Sequence, residues 1–265
     1  MIDLRRASRA AEQAAYAAGT HLRASRSRLA EVMITHKDPS VVVRTICREA
    51  EALIREVVIR AFPDHDFIGE EDAGATAFLL ADSQPHWVVD PLDGIANYQR
   101  GYPQYAVSIA LVEAGEPLIG VIYDPIRDEF FGAIRGKGAV LNGRPIHCAP
   151  PHQAFEALAA TVFPHPKSQR MARFIGEFGR VLRGFGGLRR SGSMTLELAY
   201  LAAGRIDAFW AHDMGAWDAA AGVLLLQEAG ALVQARDGRP LLGSGALLGC
   251  TPTLYESFLS LLVET

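Results

Sequence analysis

The chain has 265 residues, 49% hydrophobic and 21% charged, with a formal net charge of −4. That balance excludes a disordered chain, leaves room for one large domain or two subdomains, and forces no basic face that would call for nucleic acid. Three widely spaced cysteines, Cys47, Cys148 and Cys250, form no CxxC pair, which excludes a disulfide framework and a structural zinc site and reads as reduced, largely buried thiols in a cytoplasmic protein.

Residues 3–25 are rich in Ala, Leu and Arg and read as a helix. Arg5, Arg6, Arg9, Arg23, Arg26 and Arg28 read as its solvated face. The segment lacks the uninterrupted apolar core of a secretory signal, and no apolar run approaches the ~18 residues of a membrane span. "KDPS" at 37–40 starts a second helix, with Asp38 or Ser40 as cap and Pro39 in its first turn, running to about Ala61 before Pro63. Short apolar runs then alternate with turns: "DFIG", "HWVVD", "YAVSIALVE", "PLIGVIYDP", "EFFGAIRG" and "AVLNG". They predict an antiparallel meander of six strands, with Asp124-Pro125 and Asn142-Gly143 as turns.

The stretch "CAPPH" at 148–152 is the best boundary, dividing residues 1–150, with the acidic motifs, from residues 151–265. Beyond it the pattern predicts a strand near 157–162, helices near 167–178 and 193–203, and a strand at 206–210. A helix at 217–229, strands at 231–235 and 245–250 and a helix at 252–263 complete the chain. The fold class is α+β, helices layered on sheets.

The chemistry lies in carboxylates at strand ends. Glu70 and Glu71 follow "DFIG"; Asp90 ends a strand, Pro91 stops the ladder, and Asp93 emerges one turn later. Clustered carboxylates are costly to bury unless cations neutralise them, and hard divalent ions such as Mg²⁺ prefer oxygen ligands, among which the Leu92 carbonyl could count. Gly94 permits close backbone approach, and a helix starting at Ile95 would offer free N–H groups to an anion beside the metals. A turn with capping aspartates accounts for "DPLDG" alone, but not for its company with "GEE" upstream and "WDAAAG", carrying Asp218, downstream.

These motifs resemble those of the inositol monophosphatase family of Mg²⁺-dependent, lithium-sensitive phosphatases. The likeness runs through "GEED" (69–72), "WVVDPLDGIANY" (87–98), "YDP" (123–125), "GKGAVLNGRPI" (136–146), "RRSGSMTLELAYLAAGRIDAFW" (189–210) and "WDAAAGVLLLQEAGA" (217–231). It implies a five-layer αβαβα sandwich of the inositol monophosphatase/fructose-1,6-bisphosphatase type, a homodimer, and hydrolysis of a small phosphorylated substrate with two or three Mg²⁺ ions.

By the same resemblance, Glu70, Asp90 and the Leu92 carbonyl ligate one ion, and Asp90, Asp93 and Asp218 a second. Glu71 stands beside them or on a weak third ion, and Lys37 near the site. Catalysis falls to Glu70, Asp90 and Asp93, with Glu70 orienting the attacking water. The substrate meets Asp93, Gly94, Ile95, Gly192, Ser193, Met194 and Asp218. Histidinol phosphate and nucleotide 3′-phosphate are rival substrates within the family, and some bacterial relatives bind transcription machinery, an alternative role with weakened catalysis.

Three positions depart from the family pattern. Ile95 replaces a threonine that helps Glu70 hold the water. Ile46 replaces an aspartate of the same polar network, and Ala211 falls near the place of a glutamate that meets sugar hydroxyls. His212 or Asp213 could substitute there, but both read more simply as exposed loop residues. The paired loss of threonine and aspartate predicts a repacked surround, since an unpaired buried aspartate is costly.

Overall fold

The structure, a computed structural model, describes residues 2–29, 39–70, 83–149, 153–236 and 238–263. Helix α1 (Leu4–Ala24) starts on Asp3, whose side chain accepts the Arg6 N–H at 3.0 Å. Its buried stripe is mostly alanine, which lets α2 (Pro39–Ala61) lie close against it. α2 buries Val43, Ile46, Cys47, Ala50, Ile54 and Val58, the spacing of one helix face. Arg5, Arg6, Arg9 and Arg23 are exposed, as a solvated face requires, whereas Arg26 and Arg28, just past α1, are half-buried. Arg6 donates to the Ala61 carbonyl, Arg28 pairs with Glu49 at 2.5 Å, and Arg26 donates to the Tyr98 carbonyl, so these three tie α1 to its neighbours.

The first sheet has seven strands in chain order: β1 (Asp66–Gly69), β2 (His86–Asp93), β3 (Ala106–Glu113), β4 (Glu116–Asp124), β5 (Glu129–Ile134), β6 (Ala139–Leu141) and β7 (Arg144–Ile146). The expected six-stranded antiparallel meander is corrected in two ways. β1 runs parallel to β2, Asp66 opposite His86. Parallel neighbours need a crossover of a dozen or more residues, and the 70–85 connection is long enough to be one. The additional strand, β7, folds back on β6 through Asn142 and Gly143, whose φ of 49° and 75° suit a tight hairpin turn.

Both faces of this sheet are covered, so its central strands read as continuous apolar runs. Trp87, Val89, Ile109 and Val121 meet α1 and α2. Val88, Ala110 and Ile122 meet a middle layer of helices. A short helix, α3 (Ile95–Arg100), follows β2 directly.

In the second half, β8 (Leu158–Thr161), α4 (Met171–Gly184), β9 (Gly187–Arg189), α5 (Met194–Ala202), β10 (Ala208–His212), α6 (Ala216–Glu228), β11 (Leu232–Ala235), α7 (Leu241–Ser244), β12 (Ala246–Cys250) and α8 (Tyr255–Leu262) follow in turn. α4 starts later than expected, after a turn closed by the Ser168 N–H on the His165 carbonyl at 2.7 Å. β9 and α7 escape the sequence pattern because three or four residues show no period.

The second sheet has the order β11-β12-β10-β8-β9. Its inner face, with Ala160, Phe209 and Leu247, closes on α5 and α6. Its outer face, with Ala159, Trp210 and Leu248, packs on Phe174 and Val181 of α4 and Phe258 of α8. α6 is apolar nearly all round because it is sandwiched between the sheets. The result is the expected α/β/α/β/α layering. No described helix is long and apolar enough to cross a membrane. Of the cysteines, Cys47 and Cys250 are buried and Cys148 is half-buried, and none of the three is in a disulfide.

Candidate active site

The acidic motifs meet where β1 and β2 end and α5 and α6 begin. Asp90, 3% exposed, lies opposite Ser108 of β3, and the pairing is irregular from there to Asp93. Pro91, with no N–H to donate, interrupts the ladder and lets the chain turn. The Leu92 N–H donates to Asp90 Oδ1 at 2.9 Å, which sets that carboxylate across the turn.

Asp93 points at the first turn of α5. Its Oδ2 accepts from Ser193 Oγ at 2.6 Å, Thr195 Oγ1 at 2.7 Å and the Thr195 N–H at 2.8 Å. Asp218 sits in the first turn of α6, where its Oδ2 accepts the Gly215 N–H at 2.8 Å. Ser108 Oγ donates to the Trp217 carbonyl at 3.3 Å and so links the Asp90 strand to the start of α6. Glu70 follows β1 directly and is half-buried.

These carboxylates feel one another. Burial raises the Asp90 carboxyl well above the usual range, and Asp93, Glu70 and Asp218 push it further. Burial raises Asp93 too, against the pull of the Ser193 and Thr195 donors. Asp218 is raised to about 7 by burial and then by Asp93 and Glu70. The donor set is all hard oxygen, which fits Mg²⁺ or a similar divalent cation. Among the described residues, no three His, Cys, Asp or Glu side chains already stand around a common point.

Gly94 begins α3 with φ 95°, and a Cβ there would lie 2.9 Å from the Gln104 carbonyl oxygen. An L side chain is excluded twice over, by conformation and by space. Ile95 opens α3 and is 39% exposed, beside Glu70 on a cavity of about 400 Å³. Gly192, with φ 90°, lies against Asn97: a Cβ would come within 2.8 Å of Asn97 Nδ2. Asn97 Nδ2 donates to the Gln104 carbonyl at 2.7 Å and to the Ser191 carbonyl at 2.9 Å. It thereby holds the 191–194 loop against α3. Glu197, buried, accepts the Ser191 N–H at 2.9 Å and holds the same loop from the other side. Ser193 is buried with its hydroxyl committed to Asp93, and Met194 starts α5 half-buried.

Thr195, Asn97 and Glu197 are the members of this arrangement that sequence reading does not select. A polar triplet around a helix start, "GSMT", is the available signal for Thr195. Ile46 is fully buried among the apolar residues of α1, α2 and the first sheet, and Ala211 is fully buried in the middle layer. His212 corrects the expectation of an exposed loop residue: it is 4% exposed and 2.8 Å from Glu177 Oε2. Asp213 is exposed and pairs with Arg170 at 3.2 Å, so neither turns to the carboxylates as a substitute for Ala211. Trp87 is core, as expected, and Trp217 is half-buried. Lys37 and Glu71 lie outside the described residues.

The five-layer α/β sandwich brings carboxylates from three segments, Glu70, Asp90 with Asp93, and Asp218, to neighbouring strand and helix ends, and their oxygens are the donor type that suits a divalent cation. The sequence profile of the inositol monophosphatase family matches residues 3–264, and the chain belongs to that family. It is 38% identical over 218 residues to the inositol-1-monophosphatase of Rhizobium meliloti, covering 82% of this chain and 81% of that one. It is 40% identical over 228 residues to the Nus factor SuhB of Pseudomonas aeruginosa, covering 83% and 82%. Among solved structures, the inositol monophosphatase of Anabaena superposes with a TM-score of 0.84 at 33% identity, covering 99% of this chain and 96% of that one.

Proposed function

We propose that the chain hydrolyses a small phosphate monoester with the aid of two or three Mg²⁺ ions held by Glu70, Asp90, Asp93, Asp218 and the Leu92 carbonyl. The observation that supports this is the placement of Asp90, Asp93, Asp218 and Glu70 at the ends of β1 and β2 and the start of α6, where Asp90 is buried and its charge is opposed by burial and then by the other three, an opposition that divalent charge relieves. Bound there, such cations supply Lewis acidity toward a phosphoryl oxygen and acidify water for attack.

The protein's own groups do the rest. Ser193 and Thr195 fix the direction of the Asp93 carboxylate and favour its charged form against burial. The bare backbone at Gly94 lets a phosphate approach the start of α3. In this reading Glu70, on the same cavity as Ile95, orients the attacking water. Membership of the family supports this reading, which carries with it a cytoplasmic setting and a homodimer.

The decisive assay is Mg²⁺-dependent phosphate release from a panel of phosphomonoesters by the wild type and by Ile95→Thr. The expected result is release by both, with the variant faster by roughly 10- to 100-fold, the range of a positioned proton-handling contact. An equal rate means that another group already orients the water. No release by either sinks the proposal. It would favour a second reading, motivated by Ile95 and by relatives named Nus factor SuhB: a partner protein in a transcription complex.

Protons and cations compete for these carboxylates. A carboxyl raised in the folded state binds its proton more tightly than in the unfolded chain, so the cation-free protein loses stability as pH rises from about 4 to 7. Added Mg²⁺ therefore gains effect over that interval. At saturating Mg²⁺ the melting temperature is expected to rise by about 5–10 °C at pH 8, and by less than half of that at pH 5.5, measured by calorimetry.

A further inference from the structure

We propose that the cavity between α2 and the Glu70–Ile95 edge of the site receives a second anionic group of the substrate, whose alcohol portion is then a sugar phosphate or similar acid rather than a neutral polyol. This deepens the phosphatase reading and rests on it. The cavity, about 400 Å³, has Arg44 and Arg48 of α2 on one side and Pro91, Ile95 and Glu70 on the other. That volume suits a small metabolite.

Arg44 and Arg48 are four residues apart on α2, the spacing at which like charges share a face and repel. The other charges of α2 are answered within the protein: Glu49 pairs with Arg28, Glu51 with Arg55 and Glu56 with Arg60. Glu51 also lines the cavity, but its carboxylate is shared with Arg55. Arg44 and Arg48 have no ion-pair partner among the described residues, and both are exposed. Two arginines without an ion-pair partner among the described residues, lining a cavity that reaches Glu70, offer charged donors to an oxyanion. The facing wall of Pro91 and Ile95 is apolar and suits the carbon face of a sugar.

The test compares kcat/KM for a sugar monophosphate and the corresponding bisphosphate, with Mg²⁺ present, in the wild type, Arg44→Gln/Arg48→Gln and Arg44→Lys/Arg48→Lys. The wild type is expected to favour the bisphosphate at least tenfold, mainly through KM. The glutamine pair should bring that ratio close to one, and the lysine pair should keep most of it. A wild-type ratio near one, or an undiminished ratio in the glutamine pair, overturns the proposal. So does a glutamine pair that weakens only the binding of a single-stranded oligonucleotide. If no ester is turned over, the phosphatase reading itself fails, and calorimetric titration of the bisphosphate decides the subsite. Binding lost in the glutamine pair sustains it, and equal binding overturns it.

Discussion

Asp90→Asn is expected to lower Mg²⁺-dependent turnover on the order of 10³-fold, and at the same time to raise the melting temperature of the metal-free protein. The two effects have one origin. Asp90 is 3% exposed, and its charge is opposed by burial and then by Asp93, Glu70 and Asp218. An asparagine has the same shape and can still accept the Leu92 N–H through its carbonyl oxygen, so the turn survives. What disappears is one repelled charge, and with it a cation ligand. A gain of about 1–2 kcal/mol, some 2–8 °C in a chain of this size, is expected in EDTA. The Mg²⁺-induced rise in melting temperature should largely vanish.

Asp93→Asn should gain less without metal than Asp90→Asn does. Asp93 has three donors on one oxygen, and an amide weakens those charge-assisted bonds. Calorimetry of both variants with and without Mg²⁺ checks the contrast. A lower melting point for Asp90→Asn in EDTA would contradict the repulsion on which the metal site rests.

Glu177→Ala is expected to be the most destabilising single change outside the site. The Glu177 carboxylate is fully buried and bonds Arg236 at 2.9 Å, His212 at 2.8 Å and Arg173 at 2.9 Å. Arg236 also donates to the Leu262 carbonyl at 3.0 Å, so the cluster ties α4, β10 and the end of α8 together. Removing the acid strands a guanidinium that is itself only 7% exposed, at a cost of about 3–5 kcal/mol.

Burial pushes the Glu177 carboxyl up, but the hydrogen bonds from His212 and Arg236 outweigh it and bring it to about 2. A depressed carboxyl contributes its stability above the unfolded value of about 4.5 and loses it as pH falls toward 2. Urea unfolding should therefore show a wide gap between wild type and Glu177→Ala at pH 7 that narrows at pH 3. A gap independent of pH would assign the loss to packing instead of charge.

The position of Glu177 could have been read. Phe174, Phe178 and Val181 mark the inward stripe of α4, and Glu177 falls on it. A charge on an apolar stripe announces a buried partner, though not which one. Arg236 follows β11 directly, 59 residues on, and its approach depends on how β11 and β12 fold back.

The strongest signals in the sequence were local. Alanines at helical spacing define α1, and apolar residues at the same spacing define α2. Proline and glycine end the strand at Asp90 and Asp93 and start α3. Those assignments depend on torsional preference and on the burial of one face, which neighbours in sequence settle between themselves. Gly94 belongs with them, because its positive φ follows from the turn in which it lies.

Tertiary structure decided the rest. Whether β1 pairs parallel or antiparallel with β2 depends on a crossover, not on either strand. Three donors from α5 settle on one oxygen of Asp93, and Asn97 reaches across to Ser191, 94 residues on. His212 is buried because β10 lies inside the second sheet and Glu177 lies beneath it. The residue types suited to cation and phosphate chemistry are thus a property of the sequence. Their shared electrostatics arise only when distant carboxylates are brought out of water together, because the repulsion that raises Asp90 and Asp218 is weak until solvent no longer screens it.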